Sequence, residues 1–202
     1  MSLLDLFFPR KCLECSESGR YICDSCLSKV GRGRVDYSNN LYCIFEYKGV
    51  IRSSITKLKY NFASSIAEEL AHRAIEKCDI PFKLTNPLLI PVPLSKQREN
   101  WRGYNQSDIL GVRIASSLGW NYASNLLKRT SQGIPQAQLS REKRLRNISG
   151  KYAVNRDILK NYKESSIVVF DDVITTGATI TECMKSLRKA GFKDIFGMGL
   201  CG

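Results

Sequence analysis

The sequence predicts an α/β fold, a mostly parallel sheet flanked by helices on both faces, preceded by a small Cys-rich module. Three observations carry this expectation. Apolar, strand-like runs recur at residues 41–47, 88–92, 166–170 and 195–200. Helical patterns separate several of them, and strands alternating with helices of ordinary length favour parallel pairing with both sheet faces covered. Four of the eight cysteines crowd the first 26 residues in two Cys-x-x-Cys pairs.

Residues 1–40 are expected to form a metal-binding module and linker, and residues 41–202 the main domain. At the start, Leu3-Leu4-Asp5-Leu6-Phe7-Phe8 is short, interrupted by Asp5 and stopped by Pro9. With no basic region before it and no run near the roughly 20 apolar residues of a membrane helix, a signal peptide and an integral span are excluded and a cytoplasmic location is expected. Cys12-x-x-Cys15, seven residues, then Cys23-x-x-Cys26 offers four thiolates from two tight turns, the donor set of a structural Zn²⁺ site with no open position. Reduced cytosolic thiols favour metal over disulfides, a redox Cys-x-x-Cys being the alternative. Gly31-Arg32-Gly33-Arg34 marks the transition into the body.

In the body, residues 41–47 are aromatic and β-branched enough for a strand. Residues 62–78 place Ile66, Leu70 and Ala74 on one helical face. The buried-strand candidate 88–92 leads into a polar, basic loop through Gly103. A helix is expected from about Asn105 to Leu118, with Gly119 as its stop. Strand 166–170 runs through a Gly/Thr turn into a helix carrying Ile180, Met184 and Leu187, closed by Gly191 and followed by strand 195–200. Cys43, Cys78, Cys183 and Cys201 read as small core residues, and His72 as an ordinary surface or packing residue.

With 31 Lys+Arg against 19 Asp+Glu the net charge is +12, which favours polyanionic partners: nucleic acid or phosphorylated small molecules. A composition of 43% hydrophobic residues excludes a disordered or fibrous chain. Residues 128–163 hold ten Lys/Arg against Glu142 and Asp157, a net +8 in 36 residues. There Arg129, Arg141, Arg144, Arg146 and Lys151, interleaved with Gln, Asn and Tyr152, suit a phosphodiester backbone while Tyr104 or Trp101 stacks on bases. A solvated helix face accounts for the same charges.

The most informative segment is Val168-Val169-Phe170-Asp171-Asp172-Val173-Ile174-Thr175-Thr176-Gly177-Ala178-Thr179-Ile180, an apolar strand ending on two carboxylates and turning into a helix. The helix N-terminus offers unpaired N–H groups. Gly177 lets the backbone approach an anion, and Thr175, Thr176 and Thr179 add hydroxyls, so residues Thr175 to Thr179, Ala178 included, form a phosphate cradle. Asp171 and Asp172 bind the two hydroxyls of a ribose or hold Mg²⁺ attached to them. Helix capping with solvated carboxylates is the plainer alternative.

This segment resembles the phosphoribosyl pyrophosphate (PRPP) signature of type I phosphoribosyltransferases. The likeness extends through the paired Cys motifs, Tyr47-x-Gly49 with Leu58-Lys59-Tyr60, Pro91-Val92-Pro93-Leu94, Arg102-Gly103-Tyr104-Asn105-Gln106 and Gln138-Leu139-x-x-x-x-Arg144-x-x-Asn147. Together these resemble the ComF (ComFC-type) competence family over nearly the whole chain. The resemblance implies a phosphoribosyltransferase-like domain bearing a zinc ribbon, which handles incoming single-stranded DNA in the cytoplasm during natural transformation. It further implies a DNA-import helicase as partner, at the inner face of the membrane. It assigns the 5′-phosphate to Thr175–Thr179, catalytic ribose-binding roles to Asp171 and Asp172 with Mg²⁺ arriving on PRPP, and the pyrophosphate to a loop with Lys96 and Arg98, Arg102 nearby. Nothing marks a nucleobase pocket or a general base, so a binding-only protein and an active phosphoribosyltransferase of nucleotide metabolism both fit these residues.

Overall fold

The computed structural model describes residues 10–60, 64–130, 152–159, 162 and 164–202. Among them, six strands form one sheet in the order β1-β2-β8-β7-β3-β4. β1 (Val35–Asp36) runs antiparallel to β2 (Leu41–Phe45). β2, β8 (Ile195–Cys201), β7 (Ile167–Val173), β3 (Leu88–Pro91) and β4 (Asn121–Tyr122) are mutually parallel. The register sets Ile90 beside Val169 and Asp171 beside Gly199.

Alternation along each central strand divides the interior into two clusters. Tyr42, Ile44, Leu89, Val168, Phe170, Met198 and Leu200 point to one face. They pack there against α2 (Gly49–Tyr60), α3 (Ser64–Lys77) and α5 (Gln106–Leu118). Leu41, Cys43, Leu88, Ile90, Ile167 and Val169 point to the other face. That face meets α7 (Ala178–Lys189) and a hairpin of β5 (Leu127–Arg129) with β6 (Tyr152–Val154). Fully buried side chains such as Phe170, Leu89 and Ile114 each contribute about 1.5–3 kcal/mol by leaving water. Of the four cysteines expected in the core, Cys43, Cys183 and Cys201 are buried and Cys78 half-buried.

The expected helices and strands are present, and elements not expected join them: the helix α2, the short strands β1 and β4, and the following. The segment expected as a basic loop before Gly103 contains a helix, α4 (Lys96–Arg102), because Ser95 caps its start through its hydroxyl and Gly103 closes it at φ 76°. Six polar residues and the lone Trp101 make no apolar stripe that periodicity could reveal. β7 continues past Phe170, so Asp171 and Asp172 lie within the strand instead of beyond it. Within the basic stretch, β5 and β6 bracket residues 130–151, and α6 (Arg156–Leu159) follows. His72 sits on the surface with its side chain 71% exposed, 3.5 Å from Glu76.

Candidate functional site

The parallel strands aim their carboxyl ends at one edge, where ligands of open α/β sheets bind. β3 and β7 leave the sheet there, and the N-terminus of α5 joins them. Asn105 caps α5 through the Ser107 N–H and donates its own Nδ2 to the Val92 carbonyl (3.0 Å), tying the helix to the β3 exit. The Ser107 hydroxyl then donates to Asp171 Oδ1 at 2.8 Å. Asp172 donates its backbone N–H to Ser107 Oγ (3.2 Å) and to Asp171 Oδ1 (3.0 Å), so the two acids share one polar anchor.

Beyond them the chain turns into α7. Gly177 is the N-cap at φ 75°, a conformation that a Cβ would strain, and it supplies no side-chain cap. The Thr176 hydroxyl accepts the Ala178 N–H at 3.3 Å. Asp171 and residues 173–180 line a small hollow of about 40 Å³. The structure thus brings Asp171 and the Thr/Gly turn to one concavity, with the dipole of a twelve-residue helix behind it, while the Asp172 carboxylate turns to Lys59.

Burial pushes the Asp171 carboxyl up to about 7, the neighbouring charge of Asp172 adds to the rise, and the Ser107 hydroxyl opposes it. The folded protein therefore holds this proton more tightly than the unfolded chain, whose carboxyl titrates near 3.8. This contribution to stability is complete below about pH 4 and is lost as pH rises through about 7. Asp171→Asn, which cannot ionise, is expected to be more stable than the parent at pH 8 and to lose part of that advantage at pH 5. Urea unfolding at the two pH values checks this, and an equal difference at both defeats it.

Three residues that sequence reasoning gave no role complete the surroundings: Ser107, Lys59 and Arg34. Lys59, in the last turn of α2, lies 3.1 Å from Asp172 Oδ2. Arg34 donates to the Thr175 carbonyl at 2.6 Å and reaches the Ile174 carbonyl at 3.5 Å, bracing the turn from outside. It arrives there because Gly33 lies so close to β2 that a Cβ would stand 2.3 Å from the Cys43 carbonyl oxygen. Lys59 and Ser107 stand in or beside the quoted family motifs, which mark positions without roles. For Arg34, the Gly31-Arg32-Gly33-Arg34 run was the one available signal.

Of the expected pyrophosphate residues, Arg102 donates Nη1 to Gln106 Oε1 (2.8 Å), in the first turn of α5. Arg98 is exposed on α4, and the backbone of Lys96 opens that helix. Trp101 is 67% exposed with the Arg102 guanidinium 5.8 Å from its ring centre. The Tyr104 hydroxyl donates to the Leu58 carbonyl and so is engaged inside the fold. Among the nucleic-acid candidates, Arg129 is exposed at the hairpin base with its guanidinium over Tyr152 (5.9 Å). Arg141, Arg144, Arg146 and Lys151 lie outside the described residues.

At the other end of the molecule the four sulfurs of Cys12, Cys15, Cys23 and Cys26 lie within 4.8 Å of one another, with Cys15 exposed and the others buried. Tetrahedral zinc with Zn–S near 2.3 Å requires sulfurs about 3.8 Å apart, so the set fits this ion with little movement. Cys23 caps the short α1 (Asp24–Leu27) through its sulfur. The second knuckle rests on α3, where the Glu69 carboxylate accepts the Tyr21 and Ile22 N–H groups (3.0 and 2.8 Å), and Glu14 of the first accepts from the Ser53 hydroxyl of α2 (3.1 Å). Arg73 Nη2 lies 2.7 Å from Asp24 Oδ1.

No family model matches the chain. Competence protein F of Haemophilus influenzae is 38% identical over 113 residues, 55% of this chain and 48% of that protein, so the match spans about half its length. DNA utilization protein YhgH of Salmonella typhi is 28% identical over 183 residues, 89% of this chain and 77% of that protein. Competence protein ComFC of Bacillus subtilis is 23% identical over 184 residues, 89% of this chain and 67% of that protein. Among solved structures, a glutamine phosphoribosylpyrophosphate amidotransferase of B. subtilis complexed with ADP and GMP overlays with a TM-score of 0.44 at 16% identity, covering 68% of this chain and 26% of that one.

Proposed function

We propose that this ComF-type chain, a homologue of competence protein F, ComFC and YhgH, binds phosphoribosyl pyrophosphate and single-stranded DNA, and handles incoming DNA in the cytoplasm during natural transformation. The observation that carries the ligand half is the hollow at the carboxyl edge of the sheet that Asp171 lines together with the Thr175–Thr179 turn, with Asp172 bonded to Asp171 through its backbone N–H. The turn and the α7 N-terminus take the 5′-phosphate, and the acids take the ribose hydroxyls. Arg102, with Lys96 and Arg98 preceding it, takes the pyrophosphate. The acidic pair also suits Mg²⁺ carried on the phosphates, where the ion neutralises charge on the leaving group. No helix among the described residues is long and apolar enough to cross a membrane. The helicase partner that the family resemblance implies belongs to the same proposal.

The nucleic-acid half rests on the +8 charge of residues 128–163, where the β5–β6 hairpin pairs residues 127–129 with 152–154 beside α7. Affinity for an oligonucleotide should fall linearly with log salt concentration, and replacing Arg141 and Arg144 by alanine should flatten the slope by about 1.4, near 0.7 per phosphate contact on a single strand. An unchanged slope rejects this assignment. One titration with PRPP, oligonucleotide and both together, with released pyrophosphate monitored, tests the reading as a whole. Binding of both ligands without pyrophosphate supports it. Steady pyrophosphate release in the presence of an acceptor replaces it with a phosphoribosyltransferase of nucleotide metabolism.

A further inference from the structure

The acids at the end of β7 are not bare. Asp172 Oδ1 accepts the Val173 N–H at 3.0 Å, and the Asp172 carbonyl accepts from the Cys201 thiol at 3.3 Å, so its backbone and one carboxylate oxygen are committed. The other oxygen, Oδ2, faces Lys59 Nζ at 3.1 Å, with side-chain exposures of 22% for Lys59 and 13% for Asp172. Lys59 ends a helix whose Ile51, Ile55 and Leu58 are fully buried, and the Tyr104 hydroxyl is bonded to the Leu58 carbonyl beside it. The ammonium is therefore delivered by a fixed element, while its four-carbon stem remains free to swing and its three donors can change partner.

We propose that Lys59 is the resident counter-ion of the acidic pair. It covers the carboxylate oxygen that a free divalent cation would take, so the cation gains this edge only in company with a phosphorylated ligand. The phosphates then complete the cation's shell and give the displaced ammonium a new partner. A small, hydrated cation such as Mg²⁺ takes one or two carboxylates and fills the rest of its octahedron with water and phosphate oxygens. Two carboxylates with an ammonium among them offer it too little charge. The inference rests on the reading of this edge as a sugar-phosphate site, but its test does not require that ligand.

The zinc-loaded full-length protein is titrated with Mn²⁺ alone, with no sugar phosphate, and free Mn²⁺ is followed by electron paramagnetic resonance. Lys59→Met should bind Mn²⁺ roughly 10- to 100-fold more tightly than the parent, the effect of removing one nearby positive charge at a half-buried site. Lys59→Arg, which keeps the charge, should match the parent. Lys59→Met combined with Asp172→Asn should lose the gain. Lys59→Gln carries the same test if the methionine variant fails to fold. Neutral variants that melt as the parent does and bind Mn²⁺ no better overturn the proposal. A separate PRPP titration of the parent keeps the two readings apart: a gain in Mn²⁺ affinity without PRPP binding removes the ligand and leaves the counter-ion, and the converse removes only the counter-ion.

Discussion

With Asp171 and Asp172 both replaced by alanine, calorimetry should show no PRPP binding at concentrations that saturate the parent, a loss of at least about 100-fold. Hydrogen bonds to charged groups each contribute about 1.5–3 kcal/mol, so two carboxylates on two ribose hydroxyls represent two to four orders of magnitude in affinity. The turn at Thr175–Thr179 survives the substitution, and a phosphate cradle alone holds any phosphomonoester weakly. The variant is expected to fold. Burial already disfavours the Asp171 charge, so its removal relieves a penalty, and Lys59, left without Asp172, still has a side chain 22% exposed to water. Circular dichroism melting establishes that point independently. A folded variant that keeps its affinity within a few-fold places the ligand elsewhere.

How much of this was readable from the chain differs by element, for physical reasons. β7, α7 and the Thr/Gly turn were legible because an apolar run, two acids and a glycine fall in one unbroken segment, where local periodicity and turn chemistry act together. The exact strand end was not, since Asp171 and Asp172 keep β pairing with Gly199 and neighbouring residues of β8 that only the register reveals. α4 was missed because Ser95 and Gly103 define it by its ends and not by a stripe. α2 carries an apolar stripe at Val50, Ile51, Ile55 and Leu58 that was available and went unused. Arg34, Lys59 and Ser107 reach the site across long stretches of sequence, and no local pattern encodes which side chains the sheet order will bring together. Lys59 stood in a quoted motif without a role, and only the packed structure sets it on Asp172.

The other large effect is expected at the cysteines. Purified protein should carry close to one Zn²⁺ per chain. Stripping it with a strong chelator, or replacing Cys12 and Cys26 by serine, should lower the melting temperature of the whole protein by about 10 °C, as a loss of 3–4 kcal/mol produces in a chain of this length. The metal matters to the body because the knuckles do not stand apart from it. Ile22, Cys26 and Leu27 lie in the same apolar cluster as Val50, Ile51 and Ile55 of α2 and Leu70 of α3. The segment they belong to is too small to bury a core of its own, so ion binding supplies its folding free energy, on the order of 10 kcal/mol in isolated zinc peptides. Without the ion, four thiols would stand side by side with no charge to gather them. Ile22 would leave its place over α3, and Glu69, which now accepts two backbone N–H groups, would lose both. The same substitutions should weaken the phosphorylated ligand only modestly, because this end of the chain reaches the site indirectly, through Arg34 on the Thr175 carbonyl and through α2, which carries Lys59. Markedly less than one zinc per chain, together with an unchanged melting curve in chelator, rules the metal out. A melting curve that falls while ligand affinity is kept assigns the four cysteines to the fold and not to the site.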